Sequence, residues 1–492
     1  MKKLFSAFIL AIFFAVPSKA AGREDFRLDS IDAGDIAGIL PAPARDTVPA
    51  AALQAEHTQP AEWTVMVYAT TKDKLCKSLM WQLLDLKHIG STEKVNVVIQ
   101  AAVPVVSANG VISTPTIRIA LGKAGDSDTL DQITIAMLKA GEGPIEESVL
   151  SVFDDILSME NATDTGDWRR VADFTRWAKT NYPAKRYVFE IYGHGNGFFD
   201  PKKTAKGTLI DTDTKNYVTL PELRLLMEQT GKVDVFLMTS CLMQMAEVAY
   251  QVKDYADVVV GSSEMMISIG YELYGAVKQL NQNPSISSEE LGAMFADSYI
   301  ARARAFNLPG AQASVLLTSK LPAFVLRLDA WVDAEMALND RKAIAAAIKQ
   351  TARFDTFGFS IMGSTAAARQ FSVFGDLYDF VEILTVSLPQ DTPARLAARQ
   401  TGRELMDFIA RGLLYKYSSF GTSPMGLDFS KVHGLSVYVP PVKMPGSAGT
   451  LAGFEQMQET RYWDLPFARE TKWGKFLGWV YGGRLQPVRA SE

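Results

Sequence analysis

The chain has 492 residues, with 50 Lys and Arg against 55 Asp and Glu, a formal charge of -5, 48% hydrophobic residues and 21% charged ones. This is an ordinary globular mixture with room for about three domains, and it excludes a wholly disordered, collagen-like or coiled-coil chain. There is no concentrated basic excess, so no nucleic-acid partner is expected, and two cysteines with four histidines are too few for a disulfide scaffold or a zinc ribbon.

Residues 1–20 have the pattern of a secretory signal. Lys2 and Lys3 supply the positive start, the largely apolar run Leu4–Val16 spans 13 residues, and Ser18 and Ala20 fit the -3 and -1 positions of a cleavage site. Thirteen residues fall short of the ~20 that cross a bilayer, which favours cleavage over an uncleaved anchor, and no cysteine is present there for lipid attachment. Removing Lys2, Lys3 and Lys19 takes the charge from -5 to -8. The mature protein is expected to be secreted or periplasmic, with no integral membrane anchor, and monomeric. Residues 21–62, rich in Ala, Pro and Asp without a hydrophobic period, are expected to be a disordered linker or pro-segment.

Order is expected from Trp63. Trp63–Ala69 is a strand rich in β-branched and aromatic residues, and Leu75, Leu79, Leu83 and Leu86 then share one helical face. Val95–Gln100 is a second strand. A helix over Asp167–Thr180 leads through Pro183 to the strand Arg186–Tyr192, and a helix from Leu220 precedes the strand Val233–Met238. Met243–Tyr255 is expected to be helical, and Val258–Gly261 is a further strand. Beyond residue 285 the helical candidates are Glu289–Phe306, Pro322–Met336, Arg341–Arg353, Leu377–Leu384 and Gly402–Leu414. A late strand, Gly434–Val439, would join the main sheet or a small second one. Alternating strands and helices, with several strands apolar throughout, predict an α/β sandwich around a mainly parallel central sheet covered on both faces. The expected division is a core over 63–284 and a helix-rich C-terminal region over 285–492.

Ligand chemistry in such sheets gathers at the carboxyl ends of strands, and two ends carry unusual residues. One is Tyr192-Gly193-His194-Gly195-Asn196-Gly197. Glycines around a histidine let the backbone turn sharply and a substrate approach, and the Gly195 N–H is a candidate donor to a developing oxyanion; a surface turn with an incidental histidine is the alternative. The other is Thr239-Ser240-Cys241, expected to open a helix whose N-terminal field favours a thiolate. A buried structural thiol is the ordinary fate of such a cysteine. The histidine 47 residues upstream, at the end of an expected neighbouring strand, supplies the base that a thiol nucleophile needs, in the order and separation of caspase-type peptidases. Cys76, on a helix between Leu75 and Lys77, is expected to be structural, since bridging it to Cys241 would disable the nucleophile.

These residues resemble the clostripain family of cysteine peptidases. The resemblance rests on Trp63–Tyr68, Phe174–Tyr182 leading to Tyr192-Gly193-His194-Gly195, Leu220-Pro221-Glu222-Leu223, and Cys241-Leu242-Met243 with Glu247-Val248-Ala249-Tyr250. Ser263-Glu264, Gly270, Tyr274, Asp376–Asp379 and Leu435–Tyr438 extend it. It implies a caspase-like fold, a catalytic pair His194 and Cys241, oxyanion donors at the N–H groups of Gly195 and Cys241, and a protein or peptide substrate cut through a thioester. Family members that cut after Arg or Lys place an aspartate two residues before the cysteine. Thr239 stands there, and a hydroxyl pairs with a guanidinium far more weakly than a carboxylate does. Preference for Arg or Lys at P1 therefore does not follow, a neutral or small side chain is open, and Glu264 is a second candidate for substrate binding. The loop Thr70–Lys74 is less acidic than the family's.

Relatives are often activated by cleavage near a basic loop, here Lys202, Lys203 and Lys206, which would otherwise be a solvated loop. Some relatives use calcium, but Asp200, Asp211 and Asp213 lack EF-hand spacing, so neither metal nor cofactor is assigned. No Gly-x-Ser-x-Gly, His-Glu-x-x-His or Walker sequence supports another enzyme class. The competing reading from a different class is an inactive caspase-like binding or surface scaffold.

Overall fold

The computed structural model describes residues 60–482, apart from 142, 162, 201–206, 355–371, 425, 442–450 and 457. The expected signal segment, nearly all of the linker and the three loop lysines at 202, 203 and 206 lie outside the described residues.

One nine-stranded sheet organises the molecule. Its strands are β1 (Ala61–Ala69), β2 (Val95–Ala102), β3 (Thr116–Ala120), β4 (Ile156–Glu160), β5 (Ala184–Tyr192), β6 (Val233–Thr239), β7 (Ala256–Gly261), β8 (Ala311–Leu317) and β9 (Leu414–Phe420), in the spatial order β9-β8-β7-β6-β5-β1-β2-β3-β4. The five central strands β2, β1, β5, β6 and β7 are parallel, and the two at each edge are antiparallel. Both faces of the central strands are buried. In β1, Trp63, Val65, Val67 and Ala69 enter one hydrophobic cluster while Met66 and Tyr68 enter the other. Alternate side chains point to opposite faces, so a strand buried on both sides is apolar throughout.

Helices cover each face. On one side lie α1 (Leu75–Leu86), α5 (Leu273–Gln282) and α6 (Ser288–Ala305), with Leu79, Leu83, Val277, Leu280, Phe295 and Tyr299 facing the sheet. On the other lie α2 (Trp168–Asn181), α3 (Leu220–Thr230) and α4 (Ala246–Val252). Local chemistry sets their starts. Asp167 accepts the Arg169 N–H at the head of α2, and Thr219 with Glu222 forms a reciprocal cap on α3, where Pro221 fills an early position that needs no N–H.

The late part of the chain joins the same body. Strand β8 pairs antiparallel with β7, and β9 pairs with β8, so the sheet runs on past residue 284 without a break. The stretch expected to be helical over Gly402–Leu414 is instead the end of a helix, Pro393–Phe408, a wider turn at Ile409–Leu413, and the first residue of β9. The late strand is Ser436–Tyr438, which pairs with Phe374–Asp376 in a small second sheet. Rings of Trp331, Phe380, Trp473 and Phe476 pack the C-terminal helices together, with Trp331 and Phe380 5.9 Å apart and Trp473 and Phe476 5.4 Å apart.

A buried polar knot ties this region to α4. Glu247 Oε1 accepts the Tyr438 N–H at 2.9 Å and the Tyr462 hydroxyl at 2.8 Å, while Glu455 accepts the Tyr438 hydroxyl and the Tyr462 N–H. Burial pushes both carboxyls from the ordinary 4.5 up to about 7. Asp85 and Asp379, raised by burial to about 6, act in the same direction. The folded chain thus keeps protons that the unfolded chain releases above pH 4.5, and the stability they carry is lost as the pH rises through about 7. Thermal unfolding followed by circular dichroism should give a lower Tm at pH 8 than at pH 5, and Glu247→Gln should flatten that dependence.

Candidate active site

The register of three parallel strands assembles the site. Ala69 of β1 pairs with Tyr192 of β5, and Tyr192 pairs with Thr239 of β6, so the three carboxyl ends stand in one row. His194 lies two residues beyond its strand end and Cys241 two beyond its own. The Gly193 N–H donates to the Thr239 carbonyl at 3.1 Å, which carries the pairing one step past the strands. A Cβ at Gly195 would stand 2.6 Å from the Cys241 carbonyl oxygen, 2.8 Å from Ser240 Cβ and 3.1 Å from the Cys241 nitrogen. Only glycine fits there, and the two residues expected to supply oxyanion donors are in backbone contact.

The chain turns at Cys241 instead of entering a helix. Leu242 has φ of 63°, and α4 starts only at Ala246. The loop after β7 holds the turn: the Leu242 N–H donates to the Glu264 carbonyl at 3.2 Å and the Gln244 N–H to the Ser262 carbonyl at 3.0 Å. In place of the helix-end field expected at the thiol, the Met266 N–H donates to Cys241 Sγ at 3.1 Å. Cys241 is buried but for 8% of its surface.

His194 is a third exposed, and its Nε2 lies 2.6 Å from Asp73 Oδ2. Asp73 sits in the loop between β1 and α1, four residues beyond the row of strand ends, and its Oδ1 accepts the Leu75 N–H at 3.0 Å at the head of α1. Burial opposes ionisation of Asp73, but the hydrogen bond and charge of His194, with the Leu75 amide, bring its carboxyl below the usual range. Asp73 carries no signal in the sequence, since it lies between two lysines in a loop that only the tertiary fold carries to His194.

Thr239, almost wholly buried, donates its hydroxyl to Glu190 Oε1 on the neighbouring strand. Glu190 is fully buried, its Oε2 has no hydrogen-bond partner among the described residues, and burial pushes its pKa up to about 8 against the pull of Thr239. Gly270 presses on this pair from above, since a Cβ there would lie 3.0 Å from Thr239 Cγ2 and 3.2 Å from the Tyr192 ring. Glu264 is also fully buried. Its Oε1 accepts the Met265 N–H at 2.8 Å, within the loop that clamps the cysteine turn.

The remaining candidates serve other contacts. Asp211 and Asp213 pair with Lys72 Nζ at 2.9 and 3.2 Å, and Asp200 accepts the Thr460 N–H at 3.0 Å. Among the described residues no three His, Cys, Asp or Glu side chains gather as metal ligands would. Cys76 is fully buried and unbridged, and burial pushes its thiol up to about 12, which disfavours its thiolate.

Residues 126–479 match the model of the Clostripain family, which covers well over half of the chain. The chain belongs to the clostripain family. It is a cysteine peptidase, and the mixed α/β architecture is the caspase-like fold of that family. The structure is similar to a secreted C11 cysteine protease from Bacteroides thetaiotaomicron solved with an irreversible peptide inhibitor, at 14% identity and a TM-score of 0.53 over 85% of this chain and 99% of that one. A second structure from the same organism, a secreted C11 cysteine protease called iotapain, has 14% identity and a TM-score of 0.52 over 78% of this chain and 95% of that one. At such identity the likeness shows the fold. No curated protein matches the sequence.

In this clostripain-family peptidase the close approach of Gly195 to the Cys241 backbone is a steric requirement. Gly195→Ala should keep the circular dichroism spectrum and lower kcat/KM for peptide hydrolysis by at least about tenfold, as the methyl forces the Cys241 backbone out of place.

Proposed function

We propose that the protein is an exported endopeptidase in which Cys241 and His194 cut peptide bonds through a thioester. The observation that carries this reading is the juxtaposition of the two strand ends, with Gly195 against the Cys241 backbone. His194 takes the thiol proton and the sulfur attacks the scissile carbonyl carbon. The carbonyl electrons move onto oxygen, where the N–H groups of Gly195 and Cys241 donate to it. The tetrahedral species collapses, the C–N bond breaks, and His194 returns the proton to the leaving amine. His194 then takes a proton from water as its oxygen attacks the thioester, and the sulfur leaves with the acid product released. The Met266 amide favours the thiolate before attack and again when the sulfur leaves.

Export rests on the pattern of residues 1–20. Among the described residues no helix is long and apolar enough to cross a membrane. At the substrate side, Glu190 beneath Thr239 supplies a carboxyl to the subsite where the resemblance expects an aspartate, from the next strand.

Iodoacetamide labelling tests the nucleophile. At pH 7 Cys241 should react at least about 100-fold faster than Cys76, whose thiol is buried and protonated, and Cys241→Ala and His194→Ala should each abolish hydrolysis. Equal, slow labelling of both thiols would overturn the proposal. In a peptide library scanned at P1, Glu190→Gln should change the preferred residue while leaving cleavage of small P1 residues within about threefold.

A further inference from the structure

We infer that Asp73 is the third member of the site: its carboxylate holds the His194 imidazole in one tautomer and stabilises the imidazolium that forms opposite the Cys241 thiolate. This rests on the Cys–His reading above and deepens it. Asp73 lies ahead of residues 126–479, so the family match assigns it no role.

The first support is which ring nitrogen is engaged. The carboxylate lies 2.6 Å from Nε2. An ionised carboxylate only accepts, so in the neutral ring Nε2 carries the hydrogen and Nδ1 keeps the lone pair. Nδ1 is then the atom that takes the proton from sulfur. When it does, the ring becomes a cation and the Asp73 contact becomes a charge-assisted hydrogen bond, shorter and stronger than a neutral one. The interaction therefore grows as the thiolate forms, which is what activates a nucleophile rather than merely fixing a side chain.

The second support is how rigidly Asp73 is held. Its other oxygen is engaged by the Leu75 N–H, and its carbonyl accepts the Cys76 N–H at 3.0 Å, so the residue is fastened to the first turn of α1. The preceding Lys72 is nearly buried, with its ammonium on Asp211, Asp213 and the Thr163 carbonyl. Burial would raise the Asp211 carboxyl, but Lys72 and the Thr214 and Thr165 donors bring it down to about 2, so this brace stays ionised at neutral pH. The same segment reaches His194 directly, since the Leu209 N–H donates to the His194 carbonyl at 3.0 Å. One stretch of chain, 209–213, thus steadies both partners of the carboxylate–imidazole contact.

The charged and titratable groups around Asp73 are His194 and Lys74, with the buried Cys76 thiol and Tyr192 hydroxyl. An Asp73→Asn variant keeps the shape and can still cap Leu75, but it carries no charge. It should lower kcat by roughly tenfold to 100-fold with KM nearly unchanged. The pH at which iodoacetamide labels Cys241 at half its maximal rate should rise by at least about one unit, because the ion pair loses its stabilising carboxylate. Asp73→Glu should recover part of both, and thermal melts should show all variants folded. Lys72→Met, which loosens the brace without touching the ring, should lower kcat less and move the labelling profile in the same direction.

A folded Asp73→Asn variant with unchanged kcat and an unchanged labelling profile would overturn the inference. So would equal losses in Asp73→Asn and Asp73→Glu that are accompanied by unfolding of α1. Absence of any hydrolysis dependent on Cys241 in the wild type would sink the peptidase reading separately, and the labelling profile would still decide whether Asp73 supports the thiolate.

Discussion

Parallel pairing of β1, β5 and β6 is the constraint on which the site depends. Three strands that start far apart in sequence end in one row because their hydrogen-bond register allows no slip: a shift of one residue would turn every buried side chain of a strand to the other face. Each strand is buried on both sides, so the register is specified twice over. The residues just past the row then have little choice of position, so Asp73 reaches His194 and Gly195 packs against the Cys241 backbone above the same edge.

What surrounds that row turns proximity into chemistry. Cysteine in a tight turn held by the backbone of residues 262–266 is fixed more firmly than cysteine at the start of a helix, whose first turn can fray. The amide of Met266 supplies locally what a helix end would supply through its summed dipoles. Beneath the turn, Glu190 shows the other use of burial. A carboxyl with one oxygen engaged by Thr239 and the other without a partner among the described residues carries a desolvation cost that the fold has to offset elsewhere. The knot of Glu247, Glu455, Tyr438 and Tyr462 anchors the C-terminal region to α4, the element that follows the cysteine turn.

Some features could be read directly and others could not. His194 is legible because glycines flank it at the end of an apolar strand, and Cys241 because it follows another such strand. Asp73 is an acidic residue between lysines in a loop, a pattern found on any protein surface, and it carries no signal until β1 is known to lie beside β5. The antiparallel edge strands are similar. Ala311–Leu317 begins with small residues and has no clear alternation, and Leu414–Phe420 follows directly on a helical pattern, so pairing partners rather than local preference make them strands. The helix expected at Cys241 failed for the same reason: Leu242 adopts a left-handed conformation that only contacts from the loop after β7 can hold.

By itself the sequence determined the fold class and the family, because hydrophobic period and motif order are local properties of a chain. Only the tertiary structure decided that the sheet continues past residue 284, that Cys241 lies in a turn facing the Met266 amide, and that Asp73 and Glu190 belong beside His194 and Thr239. Those facts depend on which strands become neighbours, and that is settled by the packing of two hydrophobic layers over the whole chain.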